Sequence, residues 1–228
     1  MSTVIVLGSI LGIYIIGKLI SKISNTSQTK TIDEEIREVK PVEYRNGYIK
    51  INEIDFVGHY KESPDGRYIL AYREHLKPKF ILLKDEEILF EKKYIKSHDV
   101  DISNNGNIVI NNWTNPGQML STFYAFNRKG NAIIINKFEA NLHNNAISPD
   151  GRYAVCQSCD SINPEDSNKL CFFDLKEGYQ LWSVTVKDFA DSYYFDLSKR
   201  ELVLEYDDER KPDSLYSFQG QFLEKKVL

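Results

Sequence analysis

The sequence predicts an all-β fold made of four repeated units, each with four antiparallel strands. Residues 63–68 and 148–153 share the six letters SPDGRY, and degenerate copies begin at Ser103 and Ser198. The four serines of these motifs are therefore 40, 45 and 50 residues apart. Aromatic residues make up 12% of the 228 residues, and Ile and Val are frequent. Such a composition favours strands over helices.

The position of the repeated turn predicts the strands of each unit. Asp or Asn in the Ser-x-x-Gly turn can bond to its own backbone, and Gly accepts a positive φ, so the turn joins a first and a second strand. A polar loop with one proline follows each second strand. The second strands are predicted at 68–72, 108–112, 153–157 and 202–206. The third strands are predicted at 80–83, 123–126, 171–173 and 215–218, and the fourth at 88–94, 132–138, 181–186 and 222–227.

Four short strands in every 40–50 residues are typical of a propeller blade. The SPDGRY turns at 63–68 and 148–153 resemble the blade turn of the WD-repeat-like, TolB-type β-propeller family, and the resemblance covers about residues 54–228. It implies a β-propeller-like repeat domain of four four-stranded blades over residues 41–228 and no particular activity. The Trp-Asp dipeptide of standard WD repeats is absent, since Trp113 and Trp182 precede Thr and Ser.

Four units leave two architectures open. The blades can close as a small ring, or they can form an open arc that a partner or a second copy completes. One more strand is predicted around residues 48–52, in a position to pair with the last blade as a closing strap.

Residues 1–23 predict a transmembrane anchor helix. Residues 3–20 carry one charge, Lys18, and counting on to Ile23 gives about 20 residues, enough for a helix that crosses a bilayer. No basic residue precedes this stretch and no small-x-small site follows it, which argues against a cleaved signal peptide. Basic residues from Lys18 to Lys40 follow the span, so the positive-inside rule predicts a cytoplasmic domain.

Gly8 and Gly12 form a GxxxG pattern inside the predicted anchor. Small residues one turn apart let two helices approach closely, which makes this face a candidate for homodimerisation; the alternative is that glycine is simply frequent in membrane helices. Residues 24–40 are polar and predict a tether. A capping box at 31–34 predicts a short helix over 32–39 within it.

Charge and cysteine content restrict the possible functions. The net charge is −4, and from Pro41 onward 24 Lys and Arg stand against 29 Asp and Glu, which argues against a nucleic-acid binder. Three cysteines are few and odd in number, as in a reducing compartment, and the alternative is one disulfide with one free thiol. Cys156 and Cys159 form a CxxC, but a zinc site needs a second ligand pair and a redox CxxC normally opens a helix. Buried small side chains are therefore expected there.

The histidines follow the repeat. His98 and His143 each lie five residues before the serine of their motif, and His59 lies four before. These positions place a ring of imidazoles at one mouth of the propeller channel, where it could bind a metal or an anionic ligand. The alternative is a hydrogen-bonding position that ties blade to blade, and it is favoured because metal sites also need convergent carboxylates or thiols.

No nucleophile elbow, phosphate loop or HExxH motif is present, so no catalytic residue, metal or cofactor is predicted. The sequence instead predicts a non-catalytic, membrane-anchored propeller that binds a protein partner as a scaffold, a recruiter or an accessory subunit. An extracytoplasmic ligand sensor or envelope-assembly factor is the alternative. A hydrolase or lyase acting at the channel mouth is the third hypothesis.

Overall fold

The computed structural model describes residues 41–226, which form eighteen β-strands and two short 3₁₀ turns. The predicted anchor at 1–23, its Gly8 and Gly12 face and the tether at 24–40 lie outside the described residues. Between residues 41 and 226 no helix is long and apolar enough to cross a membrane.

The strands form four antiparallel sheets in which neighbours in sequence are neighbours in space. The first sheet contains β1 (Val42–Arg45), β2 (Tyr48–Ile51), β3 (Phe56–Glu62), β4 (Tyr68–Arg73), β5 (Lys79–Lys84) and β6 (Glu87–Lys93). The second contains β7 (Ser97–Ile102), β8 (Ile108–Asn115), β9 (Leu120–Phe126) and β10 (Ala132–Phe138). The third contains β11 (Leu142–Ile147), β12 (Tyr153–Ser158), β13 (Lys169–Asp174) and β14 (Tyr179–Thr185). The fourth contains β15 (Ser192–Asp196), β16 (Glu201–Glu205), β17 (Asp213–Ser217) and β18 (Phe222–Lys226).

Each sheet contains one predicted unit of four strands, and every predicted second, third and fourth strand lies within three residues of the observed bounds. The all-β class and the four repeated antiparallel units are therefore confirmed. The arrangement is consistent with propeller blades.

Consecutive sheets pack face to face through apolar clusters. Leu70 and Phe80 of the first sheet pack with Ile110 of the second. The Phe123 ring of the second sheet stacks on Phe173 of the third, with centroids 4.7 Å apart. All six residues of β12 are buried, because its alternate side chains enter clusters on both faces of the third sheet. Fully burying an apolar side chain as large as that of Val155 contributes about 1.5–3 kcal/mol.

The β1–β2 hairpin extends the first sheet, since β2 pairs with β3 in a register that places Ile51 opposite Phe56. The predicted closing strap to the last unit is therefore wrong. The connection between β2 and β3 is a single 3₁₀ turn, which makes the local pairing the one with the smallest loop-closure cost. Buried Ile49 and Ile51 join Ile81 in a cluster on the face of the first sheet that points away from the second.

The repeated turn satisfies its own backbone as its sequence predicts. In the first copy the Ser63 hydroxyl donates to Asp65 Oδ1 at 2.8 Å and accepts from the Tyr68 amide at 3.0 Å. Gly66 has φ +71°, the left-handed conformation that glycine adopts without steric cost.

The turns of the first three sheets also bond to one another. The Asp65 amide donates to Asn104 Oδ1 at 2.9 Å, and the Asn105 amide group donates to the Asp150 carbonyl at 2.8 Å. Asn107 Nδ2 donates to the carbonyl of Gly151 at 3.0 Å. The motif therefore closes each hairpin and links consecutive sheets.

Strand direction alternates, so the connections separate into two ends of the sheets. The repeated turns and the turns between third and fourth strands lie at one end, which we call the turn end. The loops between second and third strands and the links between sheets lie at the other, which we call the loop end. At the loop end the Ser161 hydroxyl donates to the Glu139 carbonyl, and the Glu139 amide donates to Asp166 Oδ2 at 2.6 Å. The loops of the second and third sheets are therefore in contact.

Candidate functional site

Each of the three histidines in the predicted ring is largely exposed and lies against an aromatic ring. The centroid distances are 4.5 Å for His59 and Tyr48, 3.6 Å for His98 and Trp113, and 4.9 Å for His143 and Phe189. The His98 ring stacks on Trp113 with an interplanar angle of 24°, whereas the other two ring pairs are tilted by 35° and 44°. The rings of His59 and His98 lie near the loop end of the first strands of their sheets.

His59 and His98 line one open cleft of about 640 Å³, and His143 does not. The Glu74 carboxylate lies in the same cleft, with Oε1 3.6 Å from His98 Nδ1. The structure therefore brings together two of the three predicted ring members. Among residues 41–226, no group of three His, Cys, Asp or Glu side chains is placed to hold a metal ion. The ring of three histidine side chains at a channel mouth therefore stays a prediction.

Polar ties between consecutive first strands are made by other residues. Lys61 Nζ of β3 lies 3.0 Å from Asp101 Oδ1 of β7, and Asp101 Oδ2 accepts the Ile147 amide of β11 at 2.9 Å. Asp99 Oδ2 accepts the Asn145 amide at 2.7 Å. Burial raises the pKa of Asp99, and the Asn145 bond opposes that rise only in part.

The tie between the third and fourth sheets is a neutral network. Asn144 Nδ2 of β11 donates to the Ala190 carbonyl at 2.6 Å. The buried Tyr193 hydroxyl of β15 donates to Asn144 Oδ1 at 2.5 Å and lies 3.1 Å from Gln157 Oε1. Burial raises the pKa of Tyr193 well above its usual value, so the phenol stays a donor. Sequence reasoning missed these ties, although Lys61 and Asp101 both lie two residues before the serine of their motif.

The cysteines do not pair as the CxxC suggests. Cys156 on β12 lies directly opposite Cys171 on β13, and both are buried in the cluster between the second and third sheets. Cys159 is only partly buried. Burial raises the pKa of the Cys156 thiol well above its usual value, which makes it a poor nucleophile. Cys156 and Cys171 are therefore packing residues in this structure.

Large apolar side chains are displayed to solvent at the loop end. Leu76, Tyr94 and Ile162 are 88%, 84% and 97% exposed. Leu76 has φ +50°, Tyr94 has φ +67°, and the exposed Met119 has φ +51°. The left-handed conformation costs an L-residue about 1–2 kcal/mol, and such outliers cluster at functional sites. Three displayed apolar residues are therefore held in an unfavourable backbone conformation without being buried.

Two adjoining depressions of about 570 and 640 Å³ lie beside Tyr94, Met119 and Ile162, whereas Leu76 lines the cleft of His59 and His98. Both depressions are lined by Leu120, Glu139 and Asn163. We call them together the loop-end groove. Its walls come from the second and third sheets and from the link that carries Tyr94. The groove is lined by the apolar side chains Tyr94, Met119, Leu120, Tyr124, Phe138 and Ile162.

The sequence matches no protein-family model and no curated protein. The function of the chain must therefore be argued from the loop end itself.

A polar group at the bottom of the loop-end groove has no partner within the protein. Ser121 is 2% exposed and lines the groove, and its hydroxyl makes no hydrogen bond within the part of the chain that the structure describes. A buried hydroxyl without a partner costs about 1–3 kcal/mol. A ligand group in the groove is one way for that hydroxyl to be satisfied.

Proposed function

We propose that the chain is a membrane-anchored, non-catalytic propeller that binds a protein partner through its loop end. The observation that carries the proposal is the display of Leu76, Tyr94 and Met119 in left-handed backbone conformations. Burying them in the fold would stabilise it, yet the loops hold them outward at a cost in backbone strain. Apolar side chains at the centre of a docking surface are a source of binding energy, since a partner removes them from water.

The proposed architecture is the open arc of four blades, in keeping with the WD-repeat-like, TolB-type resemblance. Three apolar clusters join consecutive sheets, and among residues 41–226 none joins the fourth sheet to the first. The β1–β2 hairpin supports the arc over the closed ring, because its residues Ile49 and Ile51 help to bury the outer face of the first sheet. A terminal repeat that covers its own outer face is a typical cap of a repeat array.

The anchor at residues 1–23 and the cytoplasmic position of the domain belong to the same proposal. The long apolar stretch and the basic residues at its end and after it support both. A topology reporter fused after Leu228 tests the placement. A reporter that is active only in the cytoplasm supports it, and one that is active only after export favours the extracytoplasmic alternative.

Site-specific photo-crosslinking in native membranes tests partner binding. A photoreactive phenylalanine analogue at Tyr94 or Ile162 is expected to crosslink one defined protein. The matched control is Tyr179, which is 54% exposed at the turn end of β14. Equal crosslinking of the same protein from Tyr179, or none from the two loop-end positions, would contradict the proposal.

Glycine variants test the link between strain and binding once the partner is purified. Replacing Tyr94 or Met119 by Gly removes the strain and the displayed side chain together. We expect about 0.5–1 kcal/mol of added stability and a loss of partner affinity. Arg200 has φ +62° at the turn end, so Arg200→Gly should add similar stability with unchanged affinity. Full affinity in the loop-end glycine variants would refute the docking role.

A further inference from the structure

The loop-end groove has an acidic rim that lacks positive partners inside the protein. Glu139 and Asp166 line the groove, and Asp160 and Glu165 lie with Asp166 in the loop between β12 and β13. None of these four carboxylates forms an ion pair with a Lys, Arg or His whose side chain the structure describes. Lys137 is the one basic residue that lines the groove, and it forms no ion pair there either.

Some carboxylates elsewhere in the domain have a basic partner. Asp101, Asp174 and Asp188, for example, each lie 3.0 or 3.1 Å from a Lys or Arg nitrogen. Three of the rim carboxylates, those of Glu139, Asp160 and Asp166, accept from neutral groups. Glu139 Oε2 accepts from Asn163 Nδ2 at 3.1 Å, and Asp160 Oδ1 accepts from Ser167 Oγ at 2.8 Å. These bonds hold the carboxylates in place and leave their charge uncompensated.

The groove between these charges is apolar. Ile162 is 97% exposed on the same loop as the rim acids, and Leu120 and Phe138 form the opposite wall. A ligand that satisfies both features needs an apolar side chain for the groove and positive charges for the rim. The unpartnered Ser121 hydroxyl offers one further hydrogen bond to a backbone or side-chain group.

We infer that the loop-end groove binds a segment of a partner protein in which a large apolar or aromatic residue is flanked by Lys or Arg. The occupant is a polypeptide because the two depressions adjoin and are open, so they suit an extended chain with successive side chains. The inference rests on the proposed function, since it names the partner chemistry of the same surface.

Peptide selection on the full-length protein in lipid nanodiscs tests the inference. The probe is a phage-displayed library of random linear dodecapeptides, followed by a fluorescent synthetic peptide with the recovered consensus. We expect an apolar residue with at least two neighbouring Lys or Arg. Affinity should fall as salt rises, because exposed charge pairs are screened. A consensus without basic residues, or a library that yields no peptide, overturns the inference.

Charge-removing variants identify the rim. Glu139→Gln, Glu165→Gln and Asp166→Asn combined should weaken the consensus peptide about tenfold at low salt, given the usual strength of exposed ion pairs. The control combines D85N, E86Q and E87Q in the β5–β6 turn at the opposite end, which changes the net charge equally. It should leave affinity within twofold, and equal weakening by both sets overturns the inference.

An apolar variant separates this inference from the proposed function. Ile162→Ser should weaken the peptide about tenfold at any salt concentration, since it removes an apolar contact. If Ile162→Ser weakens peptide binding and the combined charge-removing variant does not, docking at the loop end is retained and recognition of basic residues is rejected. If neither variant weakens peptide binding, both docking at the loop end and recognition of basic residues are rejected.

Discussion

Two glycines in identical sequence surroundings should tolerate alanine very differently. Gly66 and Gly151 occupy the same position of the two SPDGRY motifs, with φ +71° and +72°. The left-handed penalty of alanine is therefore the same at both, about 1–2 kcal/mol. The surroundings differ, because a Cβ at Gly66 meets no atom within 4 Å. A Cβ at Gly151 would lie 2.5 Å from Asn105 Nδ2 and 2.6 Å from its Cγ.

The difference can be worked out from the bonds that Asn105 must give up. Its Nδ2 donates to the Asp150 carbonyl at 2.8 Å, and its Oδ1 accepts from the Ser103 hydroxyl and the Asn107 amide at 2.8 and 2.9 Å. Each bond contributes about 0.5–1.5 kcal/mol, and the exposed position puts them at the lower end. Gly151→Ala should therefore cost about 3–4 kcal/mol, against about 1–2 kcal/mol for Gly66→Ala.

Urea unfolding of the full-length protein in mild detergent, followed by tryptophan fluorescence, measures both losses. Asn105→Ala provides the control, since it removes the side chain that the new Cβ would meet. In that background Gly151→Ala should cost only the left-handed penalty, which gives a coupling energy of about 2 kcal/mol. Equal losses at the two glycines, or an excess that survives Asn105→Ala, would refute the reasoning.

Three further predictions use the same unfolding assay or a thiol titration. Burial raises the pKa of Asp99, so the folded state binds more protons than the unfolded one and loses stability as pH rises. Asp99→Asn should therefore gain stability relative to wild type as pH rises above about 4, the usual pKa of Asp. Trp113→Phe loses the indole bond to the Leu142 carbonyl at 2.8 Å and should cost about 1 kcal/mol, whereas an unchanged urea midpoint would contradict that bond. Ellman's reagent should find one reactive thiol, that of Cys159, in the native protein and three in urea; fast reaction of all three would contradict the burial of the other two.

Local chemistry explains why most strands could be predicted. The Ser-x-x-Gly turn fixes where a second strand begins, and alternating apolar residues extend it, so β4 and β12 start at Tyr68 and Tyr153 as expected. The partner of β2 could not be predicted in the same way. Ile49 and Ile51 suit any sheet with an open edge, and the choice depends on loop closure through the 3₁₀ turn that precedes β3.

The candidate site was harder to predict than the fold. Spacing identified the histidines as members of the repeat, but it could not show that His59 and His98 share a cleft that His143 does not line. An apolar residue in a loop sequence looks the same whether it turns inward to the core or outward to solvent. The exposure of Tyr94 depends on how its loop closes, which is a property of the folded chain.

The residues that adopt the left-handed conformation differ in kind between the two ends of the sheets. In the repeated turns of the first three sheets, the left-handed position holds a glycine, at Gly66, Gly106 and Gly151, so the conformation carries no steric cost. At the loop end the same conformation is occupied by Leu76 and Tyr94, whose side chains are exposed and add nothing to the core. The non-glycine residues in this conformation at the turn end, such as Asp85, Glu86 and Arg200, are polar, so among residues 41–226 large apolar residues adopt it only at the loop end. Such one-sided exceptions are expected where a residue serves something outside its own fold, and a partner at the loop end meets that requirement.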